Sequence, residues 1–200
     1  MIISAVAARE GKRGIGANRL TEGTPSRWLS RQNCRHNHMT RMDAGITPEQ
    51  FELLLPLACQ WAAAQEQRIC SHGQALSDAQ VADARLVGVA EPERVRLLYV
   101  PEIPIPEHPA LRAAADATQL ISPLTGGLTL RYGIFIRSDC RFNRAMVVHE
   151  LGHTAQYERL GGFESFLRQY LSQCLTIGYP EAPMEQEVIS LTARICGSPE

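Results

Sequence analysis

Residues 144–158 read Arg144-Ala145-Met146-Val147-Val148-His149-Glu150-Leu151-Gly152-His153-Thr154-Ala155-Gln156-Tyr157-Glu158, with an H-E-x-x-H sequence at 149–153. On a helix of 100° per residue, His149 and His153 lie about 40° apart in projection and about 6 Å apart along the axis. Two imidazoles so placed can close on one Zn2+. Glu150 stands about 60° from His153 on the same side. From there it can reach a water at the metal without being a ligand, the position of a general base. Val147, Val148, Leu151 and Ala155 occupy the opposite arc, so the helix has an apolar back that a core can bury.

The flanks support a helix at this place. Gly126-Gly127 opens a run in which Leu128, Leu130, Tyr132, Ile134 and Ile136 alternate with Thr129, Arg131, Gly133, Phe135 and Arg137, which predicts one half-buried strand. Three helices follow, at about 141–160, 163–176 and 183–196, separated by Gly161-Gly162 and Gly178-Tyr179-Pro180. Upstream, Thr47 with Pro48 and Gln50 starts a helix expected to reach about Cys70 and to bend at Pro56. Ser77 and Gln80 start a second helix that ends near Val87. Arg94–Val100 reads as a strand, the proline-bearing 101–109 as a stiff connection, and 110–117 as a short helix. The fold class is therefore α+β, a small sheet packed on the H-E-x-x-H helix with further C-terminal helices.

A catalytic zinc takes three protein ligands and keeps one position open. No histidine follows His153, so the third ligand must be a carboxylate. Candidates are Glu158, Glu164, Glu181, Glu185 and Glu187. Glu158 projects about 180° from His149 on the same helix, which removes it. Glu185 and Glu187 open the final helix, which a helix and a tight turn can bring back against the first.

Three segments together, Tyr132–Ile136, His149–Glu158 and Ala182–Glu187, resemble small bacterial zincin-like proteins of the gluzincin type, and the resemblance spans roughly residues 43–196. It implies a minimal zincin-like fold and a zinc-dependent peptidase acting on a peptide or protein substrate, with Glu150 as general base on a metal-activated water. Zn2+ would be held by His149, His153 and a Glu on a later helix, which Glu185 matches best and Glu187 second. Whichever of the two is not the ligand would orient a histidine or remain a solvated charge at the helix start. Tyr157, about 40° from His153, and Tyr179, just before the last helix, are placed to donate to a tetrahedral oxyanion. The strand before the metal helix would take an extended peptide along its edge. The competing expectation is a catalytically silent zincin-fold module that keeps zinc for stability or partner binding.

Composition bounds these readings. The 200 residues carry a net charge of −1, but the first 41 hold eight basic and two acidic residues, about +6 against about −7 for the remainder. Residues 1–41 show no helical or strand periodicity and are expected to form a disordered basic extension. Met42 is an alternative start, so this extension need not belong to the native protein, and residues 42–200 form the expected zincin-like domain. A basic tail without a helix-turn-helix gives no reason to expect nucleic acid. Cys34, His36 and His38 within it read as coincidental spacing. No apolar run approaches the ~20 residues of a membrane helix. A secretory signal and CxxC pairs are both lacking, and together they predict a cytoplasmic protein with free thiols.

Overall fold

In the computed structural model the described residues are 45–197, so the expected N-terminal extension, with Cys34, His36 and His38, lies outside them. Helix α1 (Pro48–His72) starts as its sequence requires: Thr47 accepts from the Gln50 backbone and the Gln50 side chain returns to the Thr47 N–H. Pro56 does not end it. Its ring lies on the exposed side, where the Glu52 carbonyl that loses its helical donor can meet water. The two-residue strand β1 (Gln74–Ala75) leads to α2 (Asp78–Val87), capped by the same Ser77–Gln80 box. Strand β2 (Arg96–Val100) follows, then α3 (Pro109–Thr118).

The expected single strand across residues 128–137 is instead a hairpin of β3 (Gly127–Leu130) and β4 (Gly133–Arg137). The break is tertiary in origin. Glu66 of α1 accepts from Arg131 Nε and Nη2 at 2.8 and 2.6 Å and from the Tyr132 N–H at 3.1 Å. That grip holds Arg131 at φ 60°, a left-handed conformation costing about 1–2 kcal/mol for a residue with a Cβ. Alternation continues within each strand but changes phase at the turn, so the residues expected on one face are divided between two, and neither face is wet. Leu128, Leu130 and Phe135 join one core with Leu55, Ile69 and Phe166, while Ile134 and Ile136 join a second with Val147, Val148 and Leu151.

The sheet order is β1-β2-β4-β3, with β2 parallel to β4 and the other pairs antiparallel. Helix α1 covers one face. The other carries α4 (Arg144–Leu160), begun by Asn143 accepting from Met146 N at 3.1 Å and ended by Gly161. Helices α5 (Phe163–Thr176) and α6 (Pro183–Cys196) complete an α+β fold of six α-helices and a four-stranded mixed sheet among the described residues. No helix of the described residues is long and apolar enough to cross a membrane.

Candidate metal centre

Helix α6 reaches α4 because residue 152 has no side chain. A Cβ built at Gly152 would stand 2.8 Å from Val188 Cγ1, closer than carbon atoms tolerate. With that approach available, Glu185 in the first turn of α6 points into α4 and is 0% exposed. Its Oε2 lies 3.4 Å from His149 Nε2 and 3.3 Å from His153 Nε2, and the two nitrogens are 3.2 Å apart. Four ligands bonded tetrahedrally at ~2.0–2.1 Å stand roughly 3.3 Å from one another. The three atoms thus form one face of such a tetrahedron. No fourth His, Cys, Asp or Glu of the described residues joins the group.

The carboxylate itself shows the same fit. Glu185 Oε1 accepts from the Tyr170 hydroxyl at 3.1 Å, whereas Oε2 is buried without a well-formed hydrogen bond, which is costly for an oxygen unless a cation or donor meets it there. Burial pushes the Glu185 carboxyl up, but the charge and close approach of the two imidazoles, His153 first, outweigh it and hold its pKa down at about 2. For His153 burial favours the neutral ring, yet the Glu185 charge, its hydrogen bond and the Glu150 charge leave the pKa raised. A His-His-carboxylate set suits zinc.

Glu150 faces the sheet side of the site. Thr129 of β3 donates to Glu150 Oε2 at 2.7 Å and also reaches the Glu150 backbone oxygen at 2.9 Å. Two residues earlier, Gly127 leaves room for the same carboxylate, since a Cβ there would fall 2.4 Å from Glu150 Oε1. Threonine and glycine therefore shape one wall around the expected base. Exposure is 3% for His149 and 0% for Glu150, His153 and Glu185.

The other candidates have different neighbours. Glu187 lies outside the triad, paired with Arg159 Nη1 and Nη2 at 2.8 Å each and accepting from Gln156 Nε2 at 3.0 Å. Arg159 first, then Gln156, hold its carboxyl below the usual range despite partial burial. Glu158 projects away and accepts from the backbone N–H groups of Ala90 and Glu91. Tyr157 is buried with its ring stacked on Phe166 at 3.7 Å, in the core shared with Leu55 and Ala58. Tyr179 is half-buried beside the start of α6 and contributes to the raised pKa of Tyr170, after burial, Glu185 and Cys174.

Four residues that touch the site were not singled out from the sequence: Gly127, Thr129, Gln156 and Tyr170. On α6 the apolar Val188, Leu191 and Ile195 project about midway between Glu185 and Glu187, so the stripe does not choose between the two; the close approach of Val188 to Gly152 turns Glu185 inward. Comparison with family models, with curated proteins and with solved structures finds no match to this chain.

Proposed function

We propose that the chain is a zinc-dependent peptidase in which His149, His153 and Glu185 hold the ion and Glu150 is the general base. The observation that carries the proposal is the convergence of two imidazole nitrogens and one carboxylate oxygen, the three protein ligands that a catalytic zinc takes. A zinc ion held by these three residues would supply Lewis-acid polarisation of a water and of the scissile carbonyl. Glu150 takes the proton of the attacking water and returns it to the leaving amine. Thr129 aims Glu150 by holding Oε2. Tyr170 aims Glu185 by holding Oε1, which turns Oε2 toward the imidazoles. The resemblance to gluzincin-type proteins supports the same assignment.

Glu150→Gln removes the base and keeps all three ligands. Zinc should remain at one per chain while cleavage of a peptide library falls by about 10²–10⁴-fold. Cleavage at the wild-type rate would refute the mechanism.

A second reading, a silent zincin-fold module, has burial behind it: triad side chains at most 4% exposed fit a closed structural site as well as a substrate site. Stoichiometric zinc with no chelator-sensitive cleavage would select it.

A further inference from the structure

A histidine can bind metal through only one ring nitrogen at a time, and the hydrogen bond at the other decides which. His153 Nδ1 stands 2.9 Å from Gln156 Oε1, one turn further along α4. The orientation of that amide is settled at its far end. Gln156 Nε2 lies 2.9 Å from the Met184 carbonyl oxygen and 3.0 Å from Glu187 Oε2, and neither of those oxygens can donate when Glu187 is ionised. Turned over, the amide would bring three acceptors together. Arg159, which can only donate, holds both Glu187 oxygens at 2.8 Å.

We infer that Gln156 is the positioning residue of the metal centre: its amide oxygen takes the Nδ1 proton of His153 and leaves the Nε2 lone pair facing His149 and Glu185, while Arg159 and Glu187 fix the amide. The chain of polarity runs from the guanidinium to the carboxylate, from the carboxylate to the amide and from the amide to the ring. Each member has one direction available to it. Glu187 thus serves the site from outside the ligand set, and the same contacts tie the start of α6, through the Met184 carbonyl, to the metal helix. This inference rests on the zinc reading above.

Zinc affinity by chelator competition, together with long-range proton–nitrogen NMR of the histidines, tests it. In the zinc-loaded wild type, His153 should carry its proton on Nδ1 and be metallated at Nε2. Gln156→Leu should still take one zinc at saturation but bind it about 10–100-fold more weakly, the usual cost of losing a partner of this kind. Glu187→Gln keeps an acceptor for the amide but loses the charge that Arg159 holds, so it should weaken zinc binding by less than Gln156→Leu does. Metal on Nδ1 of His153 in the wild type would overturn the inference even if the leucine variant failed to fold. Affinity unchanged in Gln156→Leu would overturn it with the zinc site intact. A loss in Glu187→Gln larger than in Gln156→Leu would mean that Glu187 does not act through the amide and would overturn it too. Wild type that takes no zinc would remove the metal reading itself, a result distinct from the others.

Discussion

Glu66 and Glu185 are both carboxylates in the interior, at 7% and 0% exposure, yet they are solved in opposite ways. Glu66 is saturated: a guanidinium fork takes both of its oxygens, and the Tyr132 N–H takes a second bond on one of them. Glu185 is held at one oxygen by Tyr170, and its other oxygen faces two imidazole nitrogens at distances longer than good hydrogen bonds. A saturated buried carboxylate is a structural strut. An undersatisfied one between two histidines is a place built for something else, and the difference separates the two carboxylates by role.

The largest effects should come from exchanging the fates of these two residues. Zinc at a thousand times its dissociation constant stabilises a protein that binds it only when folded by about 4 kcal/mol, so chelator should lower the melting temperature of the wild type clearly. Glu185→Ala should close that gap between loaded and chelated protein. Glu66→Ala should leave the gap open and lower both curves. A fully buried pair costs about 3–5 kcal/mol when one partner is removed, and Arg131 at 37% side-chain exposure puts the cost near the bottom of that range. Calorimetry with and without chelator distinguishes the cases. A gap that survived in Glu185→Ala would end the distinction drawn here.

A smaller effect sharpens the comparison by asking what brings Glu185 inward. Gly152→Ala gains about 1 kcal/mol of helix propensity but forces a methyl against Val188, and overpacking of this kind costs about 1–3 kcal/mol. The net loss should be at most about 2 kcal/mol, yet zinc affinity should fall more than stability does, because α6 carries Glu185 away with it. Adding Val188→Ala restores the space. The pair should therefore couple favourably in a double-mutant cycle read by zinc affinity. Additive losses would show that the glycine is there for another reason.

The same contacts explain what could be read without coordinates. Local chemistry wrote its own boundaries: the Thr47 and Ser77 capping boxes, Pro183 in the first turn of α6, and the two histidines one turn apart. The hairpin was not legible, because Arg131 sits at positive φ through the action of Glu66, 65 residues away, and nothing in the run 128–137 marks a turn. Thr129 looked like a solvated alternate of a half-wet strand. Only the packing of β3 on α4 makes it the partner of Glu150. The choice between Glu185 and Glu187 was likewise open to i, i+2 spacing alone, since residues two apart on a helix project about 200° apart and either could face α4. The apolar stripe of Val188, Leu191 and Ile195 projects about midway between the two, so the packing of Val188 on Gly152, a tertiary contact, decides it.

The smallest effect belongs to Tyr157, a third way of burying a polar group. Its hydroxyl is buried with no hydrogen-bond partner among the described residues, and burial first, with the charges of Cys59 and Glu66, pushes its pKa well above the ordinary tyrosine value. The phenol therefore stays neutral, and its ring is stacked on Phe166 with Phe163 edge-on to it, on the core that α1 covers. A hydroxyl that satisfies nothing contributes no hydrogen bond to lose, so Tyr157→Phe should be within about 0.5 kcal/mol of wild type or slightly more stable. Zinc affinity and cleavage should not change. Removal of a donor to an oxyanion lowers kcat by about 10²–10³-fold, and a drop of that size in Tyr157→Phe would mean that α4 turns this ring toward substrate during turnover. Tyr170→Phe is the matched control. Its hydroxyl does hold Glu185, so this variant should weaken zinc binding where Tyr157→Phe leaves it untouched.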